Sequence, residues 1–227
     1  MSDHKRKLAA IVFTDIVGFT KLTADDQSRA SNLLTEQRTL LKPIVDSHNG
    51  TWVKEMGDGL LLIFDTVTDA VKCTIKIQET TKEVDNLDLR IGIHQGEILL
   101  TENDVIGDDV NIAARIEPFS APGGIAISNK VNDALVRESG YDTKFVGKPK
   151  LKGVGQEVKV YCIISHGLPE TKLSDVSAKL ETSRVKLYIG IAAVLIIPIL
   201  LYLFLFQEDD GVESIAILYM DVNSSSN

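Results

Sequence analysis

The apolar stretch "IVFTDIVGFT", residues 11–20, changes character twice within ten residues. It continues a predicted buried strand over residues 8–14, stops on the carboxylate of Asp15, and restarts through Gly18. One interpretation makes Asp15 a cap for the next helical turn. The other makes it a functional acid at a strand end, followed by a glycine that lets the backbone approach a ligand closely. The stretch alone leaves both interpretations open.

A second acid occupies a comparable place further along the chain. The runs "TWVKEM" and "LLLIF" flank "GDG" and predict a β-hairpin with Asp58 in its turn, where a positive φ is the simplest explanation. Together with Asp15, however, it forms a pair of carboxylates at strand ends, which can hold two magnesium ions. The turn after Asp15 can then offer backbone amides to a phosphate. These amides belong to Val17, Gly18, Phe19 and Thr20.

A third set of polar residues includes two that lie on a predicted helix, "DDVNIAARIEPF". Asn111 and Arg115 are four residues apart and so project from one helix face. A solvated face explains this spacing in most proteins, but small neighbours leave room here for a ligand, and a guanidinium suits phosphoryl charge. Asp104 precedes this helix, while Lys54 and Lys152 are lysines that by themselves indicate only solubility.

Strand and helix patterns alternate over residues 8–164, which predicts a mixed α/β domain. One helix is expected over residues 28–48, with a left-handed stop at Gly50. Another is expected over residues 66–84. The run "LRIGIHQGEILL" is interpreted as two strands interrupted at Gly96, and the last strands are expected within "GGIAIS", "KFVGKPKLKG" and "EVKVYCII".

The overall charge limits the partners of this 227-residue chain. A formal net charge of −8 provides no basic surface for a nucleic-acid duplex, so nucleic-acid binding is not expected. Cys73 and Cys162 lie in apolar stretches and match no metal spacing, which predicts buried thiols in a reducing compartment. The charged start "MSDHKRKLAA" is not a signal peptide, so the N-terminus is expected in the cytoplasm.

Residues 187–206 are twenty uncharged, almost wholly apolar residues, enough to span roughly 30 Å of hydrocarbon as a helix. The alternative is a buried core helix. Lys and Arg precede this stretch and only acids follow it, which predicts a single-pass protein of the inner (cytoplasmic) membrane with its N-terminal domain inside. The predicted organisation is a catalytic domain (1–164), a juxtamembrane linker (165–186), the membrane helix, and an extracytoplasmic tail (207–227) that begins a truncated domain.

Five motifs, in order, carry a family resemblance: "FTDIVGFT", "KEMGDG", "RIGIHQGEI", "DVIGDDVNIAAR" and "APGGIAIS". Over roughly residues 7–164 the chain resembles the class III adenylate and guanylate cyclase catalytic domain. The resemblance implies a ferredoxin-like α/β fold, a head-to-tail homodimer with active sites at its interface, and two Mg²⁺ or Mn²⁺ ions per site. It also suggests a bacterial membrane-anchored cyclase in signal transduction, with a large C-terminal part outside the membrane.

The resemblance also implies a role for each matching residue. It assigns metal binding to Asp15, Asp58 and the Ile16 carbonyl, purine selection to Lys54 and Asp104, ribose orientation to Asn111, transition-state stabilisation to Arg115, and triphosphate binding to Lys152. One metal would lower the pKa of the ribose 3′-hydroxyl and the other would neutralise the departing pyrophosphate. Two further acids, Asp108 and Asp109, are interpreted as charge at a helix N-terminus, and His94 as a packing residue.

The purine-selecting pair favours ATP as the substrate. Adenine presents an amine donor beside a ring-nitrogen acceptor, which suits the carboxylate of Asp104 and the ammonium of Lys54. Guanine reverses both groups, and each mismatch costs on the order of 1–3 kcal/mol in a buried pocket. The prediction is an adenylate cyclase; the alternatives are a guanylate cyclase and a catalytically weak, nucleotide-binding membrane sensor or scaffold.

Overall fold

The computed structural model describes residues 5–101 and 104–172, and a mixed sheet of eight strands runs through them. The strands are β1 (Lys5–Ile16), β2 (Thr51–Met56), β3 (Gly59–Phe64), β4 (Leu89–Leu100), β5 (Val105–Ile106), β6 (Ile125–Ser128), β7 (Thr143–Gly147) and β8 (Val160–Ile163). The helices are α1 (Phe19–Asp25), α2 (Gln27–Ser47), α3 (Val67–Thr81), α4 (Asp108–Ile116) and α5 (Asn129–Leu135), and a 3₁₀ turn covers Glu117–Phe119.

The strand order of the sheet is β2-β3-β1-β4-β6-β8-β7, with β5 paired to β4. The first four strands of this order pair with one another in antiparallel fashion, and helices connect β1 to β2 and β3 to β4. This is the βαββαβ order of a ferredoxin-like unit, as the family resemblance implied. The sheet then continues through a parallel pairing of β4 with β6.

Strand β1 lies in the centre of this unit and is buried on both faces. Ala10 and Val12 face one apolar cluster, while Ile11 and Phe13 face another, because successive side chains of a strand alternate between the two sides of the sheet. Burial on both faces explains why this stretch reads as a continuous apolar run. The half-buried Asp15 comes just before the end of the strand.

Strand β4 corrects one prediction. The run "LRIGIHQGEILL" is a single strand of 12 residues that pairs with β1 along its whole length, and not two strands. Gly96 serves packing instead of a turn, because a Cβ atom at this position would lie 2.0 Å from Cγ of Asp109. The glycine therefore leaves space for a side chain of α4.

The predicted helix over residues 28–48 is present as α2, but the interpretation of Gly50 is wrong. The left-handed residue after the helix is Asn49, with φ of 58°, and Gly50 lacks a positive φ. A Cβ atom at Gly50 would lie 2.5 Å from Cε1 of Phe64 and 2.6 Å from Cγ1 of Val45. Glycine is required there by close packing between α2 and β3.

Both cysteines are buried free thiols, as predicted. Burial raises the pKa of the Cys73 thiol to about 12. The predicted membrane helix over residues 187–206 and the tail over 207–227 lie outside the described residues, as does the linker from residue 173 onward. Within residues 5–101 and 104–172, no helix is both long and apolar enough to cross a bilayer.

Candidate active site

The hairpin between β2 and β3 holds Asp58 against the end of β1. Asp58 Oδ2 accepts a hydrogen bond of 3.1 Å from the backbone amide of Ile16, and its carbonyl accepts one of 3.2 Å from Nε2 of Gln37 on α2. The residue with positive φ in this turn is Gly57, at 68°, so the interpretation of Asp58 as a left-handed turn residue is wrong. Its acidic side chain instead fastens the turn to the neighbouring strand.

Asp15 and Asp58 form an acidic pair near the C-terminal end of β1. Burial, followed by the negative charge of Asp15, raises the pKa of Asp58 above its usual range. The pair and the adjacent carbonyl of Ile16 offer only oxygen ligands, the donor set that Mg²⁺ and Mn²⁺ prefer. A divalent cation between the two carboxylates would remove the repulsion that the pair now experiences, so the residues present fit such an ion.

Arg90, at the start of β4, also belongs to this site. Its Nη2 donates to Oδ2 of Asp15, and its Nε donates to Oε1 of Glu117 at 2.8 Å. The Arg90 side chain is 23% exposed and the Glu117 side chain 11%. Arg90 could not be identified from the sequence, because only the register of β1 with β4 reveals that this residue pairs with Asp15.

The turn after Asp15 has the expected glycine but fewer available amides than predicted. Gly18 adopts a left-handed φ of 79° and precedes the first turn of α1. The amide of Val17 already donates to the carbonyl of Asp88 at 2.9 Å. Phe19 and Thr20 lie in the first turn of α1, where amides lack an intrahelical acceptor. These two are the predicted donors whose position favours contact with a phosphate.

Lys54 and Asp104, fifty positions apart in the sequence, form a bidentate pair. Lys54 Nζ lies 2.6 Å from Oδ1 and 2.8 Å from Oδ2 of Asp104, whose Oδ1 also accepts from the amide of Val105 at 2.7 Å. The hydrogen bond from Lys54 is the main cause that lowers the pKa of Asp104 below its usual range. The two side chains are 37% and 44% exposed, so the pair lies at the surface of the chain.

Asn111, Arg115 and the loop containing Lys152 meet on one side of α4. Asn111 lines a cavity of about 400 Å³ together with Gly153 and Gly155 of that loop. Arg115 Nη2 lies 3.8 Å from the place that a Cβ atom of Gly153 would occupy, directly beside Lys152 in the sequence. The structure therefore brings Asn111, Arg115 and the loop that follows Lys152 into one neighbourhood. Among the described residues, no hydrogen bond or ion pair joins the Asp15–Asp58 pair to the Lys54–Asp104 pair.

Comparison with known proteins identifies the family. The protein-family model described as the adenylate and guanylate cyclase catalytic domain matches residues 2–165 of this chain. The chain therefore belongs to this family, the class III nucleotide cyclases.

Individual relatives include cyclases of both specificities. The chain is 32% identical over 165 residues to putative adenylate cyclase 3 of Rhizobium meliloti, covering 69% of this chain and 28% of that protein. It is 27% identical to guanylate cyclase 2G of Mus musculus, covering 70% of this chain and 16% of that protein. The crystal structure of an adenylate/guanylate cyclase/hydrolase from Silicibacter pomeroyi superposes with a TM-score of 0.67 at 30% identity, covering 74% of this chain and all of that one. The chain thus spans well under half the length of these two curated relatives.

Proposed function

We propose that this domain is an adenylate cyclase that converts ATP to 3′,5′-cyclic AMP and pyrophosphate. Family membership supports cyclisation of a purine nucleoside triphosphate, and the contact between Lys54 and Asp104 supports ATP. That contact is the single observation that carries the choice of substrate.

The base specificity follows from the donor and acceptor character of this pair. The adenine amine would donate to Asp104, and the adjacent ring nitrogen would accept from Lys54. The pair already positions both groups side by side, with two short contacts between them. Guanine would set its carbonyl against a carboxylate and its ring N–H against an ammonium, so each mismatch would weaken binding by roughly 1–3 kcal/mol.

The acidic pair of Asp15 and Asp58, with the Ile16 carbonyl, would hold two Mg²⁺ or Mn²⁺ ions. When bound, such ions would favour ionisation of the ribose 3′-hydroxyl and neutralise charge on the departing pyrophosphate. Arg90 contributes a positive charge beside Asp15, and Glu117 accepts a hydrogen bond from Nε of the same guanidinium. The guanidinium of Arg90 thus contacts two carboxylates, those of Asp15 and Glu117, near the end of β1.

On the other side of the substrate, α4 and its neighbouring loop provide polar groups for the ribose and phosphates. Asn111 would orient the ribose by hydrogen bonding, and Lys152 would bind the triphosphate. Arg115 would stabilise the charge that develops on the α-phosphoryl oxygens, a contribution that mainly lowers the barrier and leaves ground-state affinity almost unchanged.

We further propose a homodimer in which each active site takes the acidic pair from one chain and the purine and arginine groups from the other. Membership of the cyclase family, whose resemblance implies head-to-tail dimers with active sites at the interface, supports this arrangement. The apolar residues 187–206 support anchoring in the cytoplasmic membrane, with the catalytic domain inside and a role in signal transduction.

The direct test incubates the purified chain with Mn²⁺ and either ATP or GTP and measures both cyclic nucleotides. Cyclic AMP as the main product is the expected result. Cyclic GMP as the main product would instead establish a guanylate cyclase. Binding of ATP without any cyclic product, at protein concentrations that give a dimer, would establish the sensor or scaffold alternative.

A further inference from the structure

Asp109, in the first turn of α4, makes contacts that the proposed chemistry does not use. Its Oδ2 accepts from the backbone amide of Glu97 at 2.8 Å, and its Oδ1 lies 2.9 Å from Nε2 of His94. Lys130 Nζ, at the start of α5, lies 3.5 Å from the same Oδ1. The side chain is only 19% exposed. Asp109 is therefore more than a charge at a helix N-terminus, because its carboxylate joins α4 to the middle of β4.

A glycine in β4, Gly96, leaves the space that the Asp109 carboxylate occupies. A Cβ atom at Gly96 would lie 2.0 Å from Cγ and 2.4 Å from Oδ2 of Asp109, so only glycine admits the carboxylate at this depth. His94 is 1% exposed, and β4 is held by pairing with β1 on one side and β6 on the other. The carboxylate thus contacts a rigid part of the sheet.

The charges around Asp109 favour its ionised form. Burial opposes ionisation, but the hydrogen bonds from His94 and the Glu97 amide and the charge of Lys130 together lower the pKa of Asp109. Burial also lowers the pKa of His94, which favours the neutral imidazole. Because an ionised carboxylate only accepts hydrogen bonds, Nε2 of His94 must carry the hydrogen. His94 is then a donor to Asp109, and not only a packing residue as the sequence suggested.

We infer that Asp109 is a positioning residue for the proposed cyclase reaction: by fixing the first turn of α4 to β4, it sets the places of Asn111 and Arg115. Asn111 follows Asp109 by two residues and Arg115 by six, on a helix of 9 residues. A short helix held at its first turn transmits a small displacement to every side chain it carries. Since a misplacement of about 1 Å can lower a rate by about a hundredfold, this anchor matters for chemistry.

The inference rests on the proposed function, and its test uses kinetics in two backgrounds. Asp109→Asn keeps the size of the side chain but removes the charge. In the full chain it should lower kcat for cyclic nucleotide formation by about tenfold or more, with KM for the nucleotide changing by less than about threefold. In a chain that already carries both Asn111→Ala and Arg115→Ala, the same substitution should lower kcat less than about twofold, because the two residues that it positions are gone.

Two further variants separate positioning from general destabilisation. Gly96→Ala retains the aspartate at position 109, but the added methyl group would push its carboxylate away from β4. This variant should therefore reproduce the loss of kcat even if Asp109→Asn fails to fold. Asp133→Asn, which removes the same charge from an exposed site on α5, is the matched control and should retain wild-type kinetics. Thermal melting of every variant measures its stability.

The outcomes are distinguishable. Equal losses of kcat in both backgrounds, or losses that follow the melting temperatures, would overturn the positioning role. Wild-type kcat in both Asp109→Asn and Gly96→Ala would overturn it as well, while leaving the proposed function intact. A wild-type chain that forms no cyclic nucleotide would overturn the proposed function itself and this inference with it.

Discussion

Asp15 lies close enough to Asp58 for its charge to add to burial in raising the pKa of Asp58. The two residues come from different parts of the sequence and meet because the β2–β3 hairpin is hydrogen bonded to the end of β1. Such a pair is costly for the folded protein at neutral pH, and a bound cation would offset that cost.

Asp58→Asn should therefore stabilise the protein in the absence of divalent ions. The amide oxygen can still accept from the Ile16 amide, while the repulsion with Asp15 disappears. Because the pKa of Asp58 is raised in the folded state, its contribution to stability is present at low pH and is lost as the pH rises through the folded pKa. The gain in melting temperature should thus be clear at neutral pH and vanish in acid, below the ordinary pKa of an aspartate.

The same variant should lose the stabilisation that Mn²⁺ gives to the wild type. The measurement is thermal melting in EDTA and in millimolar Mn²⁺, with Asp85→Asn, an exposed acid, as the control. An equal Mn²⁺-dependent rise in the wild type and in Asp58→Asn would show that the acidic pair is not where the ion binds.

Reversing the purine pair should invert nucleotide preference. The double substitution of Lys54→Glu and Asp104→Lys keeps an ion pair but exchanges its donor and acceptor, so it should favour GTP over ATP in kcat/KM. The matched control reverses a nearby surface ion pair, Arg38 with Glu55, and should leave the preference unchanged. Retained preference for ATP in the Lys54/Asp104 double variant would show that these residues do not read the base.

Arg115→Ala should lower kcat by about a hundredfold to a thousandfold and alter KM for ATP little, as expected for a group that acts in the transition state. Arg137→Ala removes an exposed arginine beyond α5 and serves as the control for lost positive charge. Steady-state kinetics with a direct assay of the product measure both constants. A rise in KM at unchanged kcat would make Arg115 a binding residue only.

Gly50→Ala should destabilise the fold by about 1–3 kcal/mol, because the new methyl group would overlap with Phe64 and Val45. Gly147→Ala, in β7, is the control: a Cβ atom there has no described neighbour within 4 Å. Urea denaturation of both variants gives the free energies of unfolding. Equal stabilities would contradict the close packing between α2 and β3.

Much of the fold could be predicted because the pattern is local. The apolar run of β1, the turn "GDG" and the helical spacing of α2 and α3 each follow from side chains near one another in sequence. The short elements α1, α5 and β5 were missed, since seven residues or fewer give too little periodicity. Gly50 and Gly96 were misinterpreted for one reason. Each is a glycine because a side chain from another element occupies its space, and that requirement leaves no trace in the local sequence.

The residues of the candidate site also fall into two groups, those that the sequence reveals and those that only the fold reveals. Asp15 and Asp58 stood out because acids interrupt apolar strands, and Lys54 and Asp104 because the family motifs assign them. Arg90 was not found, since its contact with Asp15 depends on the register between β1 and β4. The role of Asp109 was hidden for a similar reason: a negative residue at a helix start has a sufficient local explanation, and only the fold reveals its contacts with His94 and Glu97.

The central claim is that each active site combines the acidic pair of one chain with the arginine of another, and complementation tests it most directly. Asp58→Asn and Arg115→Ala chains, each strongly impaired alone, are mixed in equal amounts, allowed to exchange subunits, and assayed for cyclic AMP. Half of the dimers should then be mixed, each with one of its two sites intact, so the mixture should recover about a quarter of wild-type activity. A mixture that stays as inactive as its two components would contradict sites shared between chains.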